Sequence, residues 1–300
     1  MTPAGHPPVS VLNSHITDEI FAAFGFEPHS WSRRYLWPVF WPPAQLFARL
    51  VAEVEQNAAQ FGLAEAARRL LPRFVKDVEV RGVENIPAQG PLLVASNHPG
   101  AYDSVAILAN LPRPDMKVVV SDVSLLRSLP ALDRRFIYTV SGVHRRMQAM
   151  RQLIRHLQDG GSALIFATGF VDPDPAVLPG AGEKLADWSP SLELALRRVP
   201  SARVLPTIVS GVLSETSLRS PLLRFQREAW RQRKLAEFLQ VIQQLLFRRD
   251  YGLTPHISFG QPLTAAELSE GHPSGEIMPE IIAQARQLLQ QHLRTVKSTA

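Results

Sequence analysis

Three hundred residues, 45% of them apolar and a fifth charged, suffice to bury one sizeable core, so a single catalytic domain with helical extensions is expected rather than two equal domains. The chain has no cysteine, which excludes a disulfide framework, a thiol nucleophile and a thiolate zinc site, and no metal is implied. The net charge of +5 favours anionic partners, among which phosphate-bearing small molecules, acidic proteins, anionic lipid and nucleic acid all qualify.

In chain order, Met1 to Ser14 lack the basic and apolar regions of a secretory signal, so the protein is expected to stay in the cytosol. The apolar stretch Tyr35 to Leu50 is interrupted by Pro38, Pro42, Pro43 and Arg49 and falls short of the ~20 apolar residues a spanning helix needs. Just ahead of the first expected helix, Trp31, Trp37 and Trp41 gather with Tyr35, Phe40, Arg33 and Arg34. That mixture suits a membrane interface, and equally suits packing of a helical preface onto a sheet.

From Pro43 to Phe74, apolar positions at three- to four-residue spacing (Leu46, Leu50, Val54, then Leu63, Ala66, Leu70) predict two amphipathic helices joined near Gly62. Short apolar runs follow at Val78 to Val83, Pro91 to Ser96, Met116 to Val120, Phe136 to Val140, Ser162 to Ala167 and Val204 to Val209, which read as buried strands. Between them lie helical stretches. Arg146 to Gln158 places Met147, Met150, Ile154 and Leu157 on one face, with Gly160 and Gly161 as the stop. Two longer helical patterns, Leu222 to Phe247 and Gly275 to Leu293, flank a strand at His256 to Phe259 and are expected to cover the sheet. The alternation predicts an α/β fold with a mixed, largely parallel sheet flanked by helices. The expected organisation is a helical extension over 1–75, the α/β domain over 76–265 and a closing helix over 266–300. Disorder is expected at the chain ends.

The run Asn97-His98-Pro99-Gly100-Ala101-Tyr102-Asp103 follows a strand and leads into a helix starting at Ser104. An aspartate five residues after the histidine can fold back on the imidazole, fix one ring nitrogen as N–H and leave the other as a base. The same spacing also suits a turn histidine held by Asp103 for structure alone. Its place, where a strand meets a helix, is where open α/β sheets build sites.

This run resembles the NHxxxxD block of the glycerol-3-phosphate and lysophosphatidic acid acyltransferase family. Downstream, Gly142-Val143-His144-Arg145-Arg146 looks like the second block, in which an arginine contacts a substrate phosphate. Leu157 to Gly169 is similar to the stretch ending in the third block, FPEGTR, keeping Phe166 and Gly169 but carrying Ala167, Thr168 and Val171 at the proline, glutamate and arginine positions. Val204-Leu205-Pro206-Thr207-Ile208-Val209 resembles the fourth block, and Ile257 to Leu263 the late FGxPL strand. The resemblance spans about Val78 to Leu263. It implies that His98 is the catalytic base and Asp103 its orienting partner. It makes Asn97, Gly100, Tyr102, Arg145, Arg146, Thr168, Gly169 and Pro206 candidate substrate contacts.

The implied reaction moves a fatty acyl group from a thioester, acyl-coenzyme A or acyl carrier protein, to a hydroxyl of a lipid acceptor, with no other cofactor. The partners it implies are that donor, the lipid acceptor and the cytoplasmic membrane face, with peripheral association. The third-block changes remove side chains that hold a phosphorylated acceptor in the family. Asp172-Pro173-Asp174-Pro175, directly after, could bind a hydroxylated or cationic acceptor or form a proline-stiffened surface turn. A noncatalytic lipid-binding protein on the same fold is the rival reading. The arginine pairs 68–69, 134–135, 145–146 and 248–249 are dispersed rather than gathered with aromatics, which argues against nucleic acid.

Overall fold

The computed structural model describes residues 9–23, 31–100, 102–139, 142–226, 228–270 and 275–299. In chain order the elements are α1 (Val9–Ala23), α2 (Trp31–Phe61), α3 (Leu63–Leu70), β1 (Glu79–Arg81), β2 (Leu92–Ser96), α4 (Asp103–Ala109), β3 (Lys117–Ser121), α5 (Ser124–Arg127), α6 (Pro130–Asp133), β4 (Phe136–Thr139), α7 (Val143–Gln158), β5 (Ser162–Phe166), α8 (Ala181–Lys184), α9 (Ser191–Arg198), β6 (Arg203–Ser210), α10 (Glu215–Leu218), α11 (Ala229–Phe247), β7 (His256–Phe259), β8 (Leu263–Thr264), α12 (Ala265–Ser269) and α13 (Met278–Thr299).

The sheet runs β1-β7-β6-β2-β5-β3-β4, with β8 against β6. Strands β6, β2, β5, β3 and β4 are parallel, whereas β7 and β8 run antiparallel to β6. The sheet is therefore mixed and largely parallel, flanked by helices, as the apolar runs imply. Strand β2 shows why. All five of its residues are buried, and its alternate side chains enter opposite cores. Leu93 and Ala95 face Leu153 and Leu157 of α7, Leu192 of α9 and Ile281 and Ala285 of α13. Leu92 and Val94 face Ala67 of α3 and Ala106 and Ile107 of α4. A strand covered on both faces reads as a continuous apolar run instead of an alternating one.

After β5 the chain crosses to the other side of β2, so the carboxyl end of β2 lies between the ends of β5 and β6. That crevice is the topological switch point where open α/β sheets bind ligands.

The sequence misplaces the start of the helical preface. The tryptophan-rich segment forms the first turns of α2, which carries Pro38, Pro42 and Pro43 inside it. A proline inside a helix removes a hydrogen bond and costs ~3 kcal/mol. Packing offsets this here, because Ala44 and Ala48 of α2 are buried against Leu12 and Ile16 of α1, a helix the sequence pattern does not announce. Phe40 packs toward that cluster, with its ring edge on to Phe21 at 5.2 Å, while Tyr35, Val39 and Trp41 are exposed. The break at Gly62 falls where expected, at φ +86°. Val140, the last residue of the expected fourth strand, lies outside the described residues, as do the chain ends 1–8 and 300. Among the described residues no helix is long and apolar enough to cross a membrane.

Candidate active site

His98 leaves the carboxyl end of β2, and Asp103 opens α4. The His98 Nδ1 lies 2.7 Å from Asp103 Oδ2. Asp103 is fully buried, and its carboxylate also accepts the N–H of Gly100, at 3.0 Å, and that of Ser104. An ionised carboxylate is acceptor-only, so Nδ1 carries the hydrogen and Nε2 is left as the basic nitrogen. The imidazole stacks on Phe166, at the end of β5, with ring centroids 4.1 Å apart. Its side chain remains 29% exposed, enough for a reactant to reach it.

Gly100 turns the chain at φ +102°, where an L side chain is strained. A Cβ at this position would also overlap the carboxylate of Glu237, which reaches the turn from α11. Burial lowers the affinity of His98 for its proton, but the charges of Asp103, Glu237 and Asp172 and the hydrogen bond from Asp103 outweigh it and raise the pKa to about 9. The imidazolium is thus favoured at neutral pH, and Nε2 serves as the base in the neutral fraction of the ring, which grows as pH rises toward 9.

The other expected contacts separate into three groups. Asn97 is buried and spends its amide on the fold. Its Nδ2 donates to Val209 O at 2.9 Å, and its Oδ1 accepts from Val209 N at 2.8 Å, which ties the exit of β2 to β6. Tyr102 is also in the core, stacked on Phe74 at 5.1 Å, and burial together with the Asp174 charge pushes its phenol pKa up. Pro206 is a buried strand residue paired with Ala95, and its carbonyl accepts from Gly260 N at 2.8 Å. These three build the crevice from behind.

Thr168 and Gly169 form the turn beyond Phe166, where the Thr168 hydroxyl donates to Phe170 O at 2.9 Å. They lie at the mouth with the exposed Phe170. Arg145 and Arg146 are exposed on the first turns of α7, which starts beyond β4. Strand β4 is three strands from β2, ~14 Å at the usual strand spacing. The Arg145 charge reaches Asp122 at the end of β3, where Arg127 is the stronger influence holding that carboxyl low. The arginines therefore line the far rim, and not the His98 turn.

The carboxylates of the 172–175 segment are not on a surface turn, and Asp174 has no exposed surface at all. It accepts four backbone N–H groups, from Ala176, Gly211, Val212 and Leu213, all within 3.1 Å. Asp172, also buried, accepts the N–H of His98 at 2.9 Å. The doubled Asp-Pro directly after the third block was the available signal. Glu237 had none, since it reaches the turn from a distant helix. Ser104 N, an obvious candidate to stabilise an oxyanion, is bonded to Asp103 Oδ1 instead. Among the described residues no group of three or more His, Asp or Glu could hold a metal ion.

The fold and site together define a largely parallel α/β protein with a histidine and a buried aspartate at the switch point of its sheet. No protein-family model matches the chain, and no curated protein matches it. Among solved structures it is similar to the 1-acyl-sn-glycerophosphate (LPA) acyltransferase PlsC from Thermotoga maritima, with 16% identity over 94% of this chain and 98% of that chain and a TM-score of 0.47.

Proposed function

We infer that the protein is an acyltransferase that moves a fatty acyl group from a thioester, acyl-coenzyme A or acyl carrier protein, to a hydroxyl of a lysophospholipid or related lipid. The observation that carries this reading is the 2.7 Å contact between His98 Nδ1 and Asp103, which leaves Nε2 out of that bond at the switch-point crevice. Neutral His98 takes the acceptor's hydroxyl proton on Nε2 as the oxygen attacks the thioester carbonyl. Asp103 holds the resulting imidazolium. The tetrahedral oxyanion then collapses, the C–S bond breaks, and the leaving thiolate takes the proton from Nε2, releasing free thiol and ester. No acyl-enzyme is required.

Placement at the cytoplasmic membrane face is supported by the exposed Tyr35, Val39 and Trp41 on α2. Aromatic and aliphatic side chains on one helix suit the interface of a bilayer that holds the lipid acceptor. Arg145 and Arg146, exposed at the far rim, suit the phosphates of the donor or of the acceptor.

Thiol release from palmitoyl-coenzyme A, measured for wild type and His98→Ala with lysophosphatidic acid, glycerol 3-phosphate and neutral lysolipids, tests the reading. Acceptor-dependent release that is absent in the variant is expected. Equal rates in both proteins would remove His98 from the chemistry and favour a lipid-binding protein on this fold.

A further inference from the structure

We propose that Asp172 is a positioning residue for His98, clamping its main chain from the loop beyond β5 and setting the aim of the imidazole. The clamp works in both directions. His98 N donates to Asp172 Oδ2 at 2.9 Å, and Asp172 N donates back to His98 O at 2.6 Å. Both main-chain polar groups of His98 are thereby spent on one residue. Two bonds in opposite senses fix the peptide planes on either side of the Cα, and with them the direction in which Cβ leaves. Asp103 then fixes the ring from its other end.

The clamp is itself anchored. Two residues further on, Asp174 accepts its four N–H groups, three of them from Gly211, Val212 and Leu213 just after β6. Pro173 between the two aspartates restricts the loop that joins them. Residues 172–174 thus stitch the exit of β2 to the exit of β6, the two strand ends that flank the crevice. This happens directly after the segment in which Ala167, Thr168 and Val171 stand at the altered third-block positions.

A carboxylate in this role also brings a charge. Asp103 from α4, Glu237 from α11 and Asp172 from the loop all act on the imidazole, and each favours its protonated form. Asp172 bonds the main chain and not Nε2, so it acts through His98 and does not touch the reacting atoms.

The kinetic part of the test rests on the acyl-transfer reading, and the spectroscopic part does not. In the full chain, Asp172→Asn keeps an oxygen acceptor for His98 N and loses the charge, whereas Asp172→Ala loses both. The His98 imidazole titration, followed by NMR of the ring nitrogens, is expected to fall by about half to one pH unit in Asp172→Asn. In Asp172→Ala, kcat is expected to drop about 10- to 100-fold with donor KM within about twofold, and Asp172→Asn should recover most of it. An Asp172→Ala protein that is less stable but retains wild-type kcat overturns the proposal, as do His98 ring-nitrogen resonances at the two ends of the titration that are the same in Asp172→Ala as in Asp172→Asn. If the wild type transfers no acyl group, the acyl-transfer reading fails while the ring-nitrogen comparison of Asp172→Ala with Asp172→Asn still decides for or against the clamp. If Asp172→Ala does not fold, the same comparison with Asp172→Asn is made on Asp172→Leu, which fills the site but offers no acceptor.

Discussion

The charge on His98 links the site to the stability of the whole chain. Its folded pKa is raised from 6.5 to about 9, by carboxylates that outweigh the effect of burial. A group whose folded pKa lies above its unfolded value stabilises fully below the unfolded value, and that stability is lost as pH rises through the folded one. The window here is pH 6.5 to 9. At ~1.4 kcal/mol per unit of pKa, the shift corresponds to about 3 kcal/mol, trimmed to about 2–3 kcal/mol by the exposure of the ring. The perturbation to make is His98→Asn. Its amide N–H takes the place of Nδ1–H toward Asp103, so the buried carboxylate keeps a donor while the titration disappears. Urea unfolding followed by circular dichroism at pH 6, 7.5, 9 and 9.5 should show wild type ahead of the variant at pH 6 and the gap closing by about 2–3 kcal/mol at high pH. A gap that stays constant, or widens as pH rises, would refute the account of the carboxylates around His98.

The other expectations concern different parts of the molecule. Asp103→Asn should lower kcat by about 10²- to 10⁴-fold, since an amide can hold the ring in the wrong tautomer, and a rate within threefold of wild type would exclude Asp103 from the chemistry. Asp174→Ala orphans four backbone donors and should cost at least about 3 kcal/mol in urea unfolding, whereas a loss below 1 kcal/mol would mean that these amides find other partners. His292 of α13 lies between the hydroxyls of Ser210 and Ser258, at 2.7 and 2.8 Å, and burial, then the charges of His256 and Arg81, depress its pKa from 6.5 to about 4. For a depressed histidine the sign reverses, so stability is lost as pH falls from 6.5 to 4, by about 3 kcal/mol. His292→Gln should flatten that acid limb, and an unchanged slope would show that His292 is not its source. Val39→Glu with Trp41→Glu should release the protein from anionic vesicles in co-sedimentation while circular dichroism stays unchanged, and full retention would place the membrane contact elsewhere.

Much of the sheet was legible because its strands are buried on both faces. Such strands need consecutive apolar residues, and β2, β5 and β6, buried almost throughout, fall on them, whereas β1, Glu79–Arg81, alternates charged and apolar residues and is only partly buried. Strand β8, two residues long, gives no such signal. The core of the site was legible for a similar reason, since His98 and Asp103 lie five residues apart and their meeting is a property of one turn. Gly62 likewise marks a helix break through its own φ.

The tertiary structure decided whatever depends on which surfaces meet. Three prolines in the first half of α2 argue for irregular chain, yet the helix persists, with Ala44 and Ala48 just beyond them buried against Leu12 and Ile16 of α1. Asp172 and Asp174 look like a solvated turn until the exits of β2 and β6 converge and offer more N–H groups than water could reach. Asn97 and Tyr102 belong to the same motif as His98, but a neighbouring strand claims one and the core claims the other. The sequence by itself determined local backbone and local chemistry, since both depend on neighbours along the chain. The tertiary structure determined which polar groups were left facing the crevice, since that depends on neighbours in space.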